Sequence, residues 1–192
     1  MKRTLLGYLF VLALAFAVHA CTSAKLARQT ERHSAQAFWR PINTGQAYWG
    51  PGDLYTFLAT GDETDGAYFQ LEALVPPGGG PPPHIHHAEA ESFFLAQGSL
   101  EMRLGDRTVS AHAGDFVNVP RDTVHGFKNV GTEPARLIVT FVPAGFERYF
   151  EEVFTRTEDR TSTPPPPTPE LIQRMTEAAP KYHCTILPPQ GS

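Results

Sequence analysis

Between Asp53 and Val142 the sequence alternates short runs of aromatic and β-branched residues with clusters of glycine, proline, aspartate and asparagine. That alternation restricts the fold more than any other feature of the chain. Runs at 53–60, 67–75, 91–96, 99–104, 107–110, 116–119, 124–130 and 135–142 are each too short for globular helices and are bounded by turn signals. Gly61 to Gly66 (GDETDG) is one such boundary, and Gly131 to Pro134 is another. Gly105-Asp106 is a two-residue hairpin signal, with glycine where positive φ is wanted. Strands of this length and spacing, with no central helix, predict an all-β sandwich or barrel.

The flanks read differently. Lys2 and Arg3 precede Leu5 to Val18, an uncharged and mostly apolar run of 14 residues. That is shorter than the roughly 17–25 residues needed to span a bilayer, and it suits the apolar core of a signal peptide. Residues 1–20 are therefore read as an export signal cleaved after Ala20, which moves the net charge from −4 to −6 and places the mature protein in the periplasm, on the envelope or in the medium. Val18-His19-Ala20-Cys21 also resembles the lipobox of bacterial lipoproteins, with His19 where a small or apolar residue is usual. A lipid anchor at Cys21 would leave Cys184, the other of the two cysteines, without a partner. Without that anchor, an exported chain invites a Cys21–Cys184 disulfide. The two readings exclude each other. Neither cysteine has a second Cys or His at finger-like spacing, so neither reads as a metal ligand.

Residues 21–46 are read as a polar spacer that passes into an aromatic-rich start, with Phe38, Trp39, Tyr48 and Trp49. Residues 47–145 form the predicted barrel, and residues 146–192 carry C-terminal helices and a proline-rich tail. Gly145 to Thr155 places Phe146, Tyr149, Phe150, Val153 and Phe154 at helical spacing. That apolar stripe packs either on the barrel or on the second subunit of a homodimer. After the proline linker 160–169, Thr168 caps a short helix over Pro169 to Ala179, with proline at its first position. The last dozen residues, with His183 and Cys184, read as tail. A net charge of −4 and the lack of a basic stripe exclude nucleic acid as a partner.

One stretch concentrates chemistry. GGGPPPHIHHAEAESFFLAQG (78–98) carries His84, His86 and Glu91, and GDFVNVPRDTVHGFKN (114–129) carries His125. Two residues apart on a strand, His84 and His86 point to one face. Glu91, Phe93 and Leu95 share a parity, as do His125, Phe127 and Asn129. Facing inward, these rows would set a polar quartet above an apolar floor. Buried groups of this kind need partners, and one metal ion would satisfy all four. Glu89 is the competing carboxylate, with two residues between it and His86 where Glu91 has four. His87 falls on the opposite face in a supporting or surface role, and His112, just before a turn, faces solvent.

These residues resemble the cupins, and in particular single-domain quercetin-dioxygenase-like cupins of the type 2 family. Their first motif is G-x5-H-x-H-x3,4-E-x6-G, and Gly78, His84, His86, Glu91 and Gly98 fill each fixed position. Gly114, Pro120, His125 and Asn129 fit the second, G-x5-P-x-G-x2-H-x3-N, with Asp122 in place of its middle glycine. Aspartate tolerates positive φ better than most residues. The motifs are 15 residues apart, and the resemblance covers roughly 47–142.

The resemblance implies a jelly-roll β-barrel with a C-terminal amphipathic helix and tail. It also implies His84, His86, Glu91 and His125 as ligands of a divalent transition metal, with Asn129 stabilising the barrel. Three imidazoles and a carboxylate suit Fe, Mn, Ni, Co, Cu or Zn and leave coordination positions for a small-molecule substrate or dioxygen. The first functional expectation is a dioxygenase-like oxidoreductase acting on a small aromatic or enolic substrate. Glu91 would be both ligand and base, and Phe93, Phe127 and Phe141 would shape the pocket. The alternatives are a metal-dependent isomerase, lyase or decarboxylase, with Arg103, Arg107 or above all Arg121 anchoring an anion, and a non-enzymatic binding module.

Overall fold

A computed structural model describes residues 35–162 and 164–188. The export signal, most of the spacer and Cys21, with both of its proposed fates, lie outside the described residues. Two antiparallel sheets make up the fold. The first runs in the order β11-β1-β2-β3-β10-β5-β8, from β1 (Ala47–Trp49), β2 (Leu54–Ala59), β3 (Phe69–Val75), β5 (Ala90–Gln97), β8 (Phe116–Val119), β10 (Ala135–Val142) and β11 (Thr155–Thr157). The second runs β12-β4-β9-β6-β7, from β4 (His84–His86), β6 (Ser99–Leu104), β7 (Arg107–His112), β9 (His125–Lys128) and β12 (Cys184–Ile186). Helices α1 (Glu147–Val153) and α2 (Pro169–Ala178) follow the last long strand.

Period-two burial decides which face of each strand looks inward. On β3, Phe69, Leu71, Ala73 and Val75 are buried while Gln70, Glu72 and Leu74 are only half so. On β10, Ala135, Leu137, Val139 and Phe141 repeat the pattern. The five-stranded sheet answers with Leu100, Met102 and Phe127. Fully burying a side chain of this size contributes roughly 1.5–3 kcal/mol, so a one-residue register slip, which would turn these rows to solvent, is strongly disfavoured.

The long strands lie where the sequence pattern puts them. The short strands differ: β1, β4, β11 and β12 have three residues each, too few to show alternation. The expected tail is therefore partly sheet. Cys184, Thr185 and Ile186 pair with His86, Ile85 and His84, and Ala47, Tyr48 and Trp49 pair with Thr157, Arg156 and Thr155. The helix expected at 145–155 spans 147–153, and Phe154 after it is already extended. Its apolar stripe is buried on the barrel of its own chain, where Phe150 packs edge-on against Tyr55 at 5.0 Å and Phe57 at 6.0 Å. In α2, Thr168 caps Leu171 N–H at 3.2 Å, with Pro169 at the first position, as the sequence predicts.

Candidate metal centre

The glycine- and proline-rich stretch before β4 sets the entry to the site. Gly80 has φ +129 and lies against the Phe127 backbone, where an added Cβ would come within 2.1 Å of the carbonyl oxygen. No side chain fits there. The chain then enters β4 beside β9, and His84 lies opposite His125 in the ladder. After β4 it crosses to the other sheet within three residues, and Glu91 lies on β5 between Val119 of β8 and Phe141 of β10. Three imidazoles thus come from one sheet and the carboxylate from the other.

The four donors converge. One donor atom from each of His84, His86, Glu91 and His125 lies within 4.8 Å of every other. Glu91 Oε2 is 2.6 Å from His125 Nε2, 3.4 Å from His86 Nε2 and 3.9 Å from His84 Nε2. The far ring nitrogens fix two of the imidazoles. His84 Nδ1–H donates to Pro82 O and His125 Nδ1–H to Thr123 O, both at 2.9 Å. A carbonyl can only accept, so these bonds place the protons on Nδ1 and turn Nε2 toward Glu91.

Electrostatics follow from burial. Burial pushes the Glu91 carboxyl up, but the His125 hydrogen bond and the neighbouring imidazoles outweigh it and hold the group below the usual carboxylate range. Burial drives His86 down to about 3, against the pull of Glu91, so its imidazole is neutral at physiological pH. Burial also opposes protonation of His125, but its bond to Glu91 raises its pKa overall. A buried anion among three imidazoles is the donor set of a borderline divalent transition ion, and it fits one well.

Apolar surroundings complete the site. Below it, Phe93 lies 6.2 Å from His125 and 6.0 Å from Phe127. Phe141 is 5.5 Å from His86. Above it, the Phe146 ring meets His86 edge-on at 4.3 Å. The cavity beside the donors is walled by Leu71, Phe127, Val139 and Phe141 from the barrel, and by Phe146, Tyr149, Phe150 and Phe154 from the α1 segment. Met175, Cys184 and Ile186 close it from further along the chain, and Tyr55 adds a hydroxyl-bearing wall. Sequence reasoning missed this C-terminal lining, since three-residue strands and single inward side chains leave no periodic trace. Burial raises the Cys184 thiol to about 12, so it is uncharged.

The other sequence readings sort cleanly. Asn129 is buried, donates to Val75 O and Glu133 O at 2.9 and 2.8 Å, and accepts from Gly131 N–H, a stabilising role in the barrel. His112 is exposed. His87 is on the outside, with Nδ1 2.5 Å from Asp122 Oδ1 and Nε2 3.0 Å from Thr185 Oγ1. Asp122 adopts φ +61, and its N–H bonds His86 O at 2.9 Å. The residue in the glycine position thus keeps the turn and adds a carboxylate that engages His87. None of Arg103, Arg107 and Arg121 lines the cavity. Arg121 is exposed, and Arg103 donates to the hairpin carbonyl of Gly105 at 3.1 Å. The expected anion anchor is therefore missing from the cavity wall among the described residues.

Glu89 is the remaining surprise. It is buried, at 6% exposure, yet it is not among the four converging donors. Its Oε2 lies 3.7 Å from His86 Nδ1, on the far side of that ring from Glu91, and neither atom has a hydrogen-bond partner among the described residues. Burial raises its carboxyl to about 7.

Residues 71–141 match the cupin domain family. Quercetin 2,3-dioxygenase of Bacillus subtilis is 28% identical over 132 residues, 68% of this chain and 39% of that protein. Quercetin 2,3-dioxygenase of Aspergillus japonicus is 27% identical over 150 residues, 74% and 43% respectively. The chain spans less than half the length of these two relatives. Among solved structures, an RmlC-like cupin from Shewanella frigidimarina superposes with a TM-score of 0.52 at 18% identity, covering 59% of this chain and 96% of that one.

Proposed function

The chain is a type 2 cupin, and from that premise we propose that it holds one divalent transition metal on His84, His86, Glu91 and His125 and acts as a dioxygenase-like oxidoreductase on a small aromatic or enolic substrate. The observation that carries this reading is the meeting of four donors, three buried and His84 half-buried, drawn from two sheets, at the end of a cavity with apolar walls. A bound ion would supply Lewis acidity and, if redox-active, a route for electrons to dioxygen. His84 and His125, held by their carbonyl partners, would keep their Nε2 atoms aimed at the centre. Glu91 would take the proton of an enolic hydroxyl presented from the cavity. Phe127, Phe141 and Phe146 would receive the flat apolar body of the substrate and keep bulk water from the donors. The two quercetin dioxygenases support the same class of reaction. Export of the mature protein belongs to the proposal as well and rests on residues 1–20 alone.

Metal analysis of protein purified without added metal is the first test, followed by oxygen-uptake assays on flavonols and β-diketones with and without air. One equivalent of metal and metal-dependent oxygen uptake are expected. Turnover that persists without oxygen would move the protein to the isomerase, lyase or decarboxylase class. Glu91→Ala should empty the site, whereas Glu89→Ala should still bind metal at saturating concentration; the reverse result would exchange the two carboxylates.

A further inference from the structure

We propose that Glu89 is the positioning carboxylate of His86, accepting a hydrogen bond from Nδ1–H and so holding the Nε2 lone pair toward the donor set. This rests on the metal-binding reading above, but the pairing itself is a property of the chain.

The three histidines are not equally supported. His84 and His125 each have Nδ1 on a backbone carbonyl at 2.9 Å. His86 is buried like His125, at 2% exposure, and its Nδ1 has no hydrogen-bond partner among the described residues. His86 O already accepts from Asp122 N–H, and Cys184 stands opposite His86 in the β12 ladder. On the Nδ1 side lies the Glu89 carboxylate, whose Oε2 is buried, without a hydrogen-bond partner among the described residues, and 3.7 Å away. Two buried atoms of complementary kind lie 3.7 Å apart, and an approach of about 0.5 Å, by rotation of the carboxylate, would bring them to hydrogen-bond range.

The backbone explains why the pair is held together. His86 ends β4 in one sheet and Ala90 begins β5 in the other, so the crossover is only His87, Ala88 and Glu89. A link this short keeps the Glu89 backbone within about 10 Å of His86. Because Glu89 precedes β5, strand parity does not place it beside Glu91. Glu91 therefore meets Nε2 and Glu89 meets Nδ1 of the same imidazole. A metal-bound histidine whose other nitrogen is held by a carboxylate keeps one tautomer and one ring orientation, and loss of such a partner typically weakens metal binding about 10–100-fold.

The test begins on metal-free protein, with long-range nitrogen–proton NMR of the imidazoles. Wild-type His86 is expected as the Nδ1–H tautomer. In Glu89→Ala and in the milder Glu89→Asp, whose shorter side chain falls further short, it should lose that tautomer preference. Glu89→Gln, whose amide oxygen can still accept, should restore it. Zn2+ affinity measured against a competing chelator should fall about 10–100-fold in the Ala and Asp variants, with the Gln variant close to wild type. A wild-type His86 protonated on Nε2, or a tautomer unchanged in both Ala and Asp variants, would overturn the proposal. If the tautomers follow Glu89 but no variant, nor wild type, binds metal, the pairing stands and the metal reading fails.

Discussion

The wall that carries the four donors and the wall that closes over them come from different parts of the chain and are held by different forces. Donors lie on β4, β5 and β9, inside the stretch that matches the cupin family, and each is fixed by a ladder register and a named hydrogen bond or ion contact. The closing wall, from Phe146 to Ile186, lies beyond the end of that match at residue 141. It is held by aromatic packing, by Tyr149 O–H on Met175 O at 3.2 Å, and by a three-residue strand paired to β4. The difference teaches that metal chemistry and cavity shape can be altered separately in this molecule. One part sets what the site can bind as an ion, and the other sets what reaches it.

The largest expected effects fall on opposite sides of that division. His125→Ala removes a ligand that also partners Glu91, and its metal affinity should drop by more than the ~100-fold ceiling typical of outer partners. Phe146→Ala deletes a ring packed on His86, Phe141 and Tyr149. It should cost about 3–5 kcal/mol of stability while leaving one equivalent of metal bound. Metal content and urea unfolding of the two variants check both statements. A Phe146→Ala protein that folds but cannot hold metal would break the separation.

A smaller effect sharpens the barrel side. Asp53 is fully buried beneath the Gly79 turn, with Oδ2 3.1 Å from the Tyr55 hydroxyl. Burial pushes its carboxyl up to about 7. Below pH 4 both folded and unfolded states are protonated there. Between about pH 4 and 7 the unfolded chain releases a proton that the folded one keeps, so folding stability falls as pH rises and then levels off. Asp53→Asn, nearly isosteric and uncharged, should lack that fall, a difference on the order of a few kcal/mol by pH 8. Unfolding curves at several pH values measure it. Phe146→Ala should keep the wild-type slope, since the closing wall has no part in this titration.

The same division runs through what the sequence could reveal. Long strands declare themselves by alternation, and the quartet by spacing, because a ladder turns sequence parity into spatial convergence. Asp122 was legible as a residue able to take positive φ, and it does. Its contact with His87 was not legible, since it joins two loops 35 residues apart. Cys184-Thr185-Ile186 has no pattern of its own and becomes a strand only because β4 offers an open edge. Glu89 misleads for a related reason. Read by parity it belongs with Glu91, but the strand that would enforce parity starts one residue later.

The smallest effect tests whether the closing wall governs access. Thr185 Oγ1 lies 3.0 Å from His87 Nε2, outside the cavity, and the flanking backbone adds His87 N–H to His183 O and Leu187 N–H to Pro83 O, both at 2.8 Å. Thr185→Val keeps the shape and the β-branch and removes only the hydroxyl, so it should cost no more than about 1 kcal/mol. Because the contact is exposed and local, the loss should appear as easier opening of β12, with little change in global unfolding. Hydrogen exchange at Leu187 should speed up a few-fold, and a chelator should strip bound metal faster by a similar factor at unchanged equilibrium affinity. Faster exchange with unchanged stripping would mean that ions leave by another route. The C-terminal strand would then shape the cavity without guarding it.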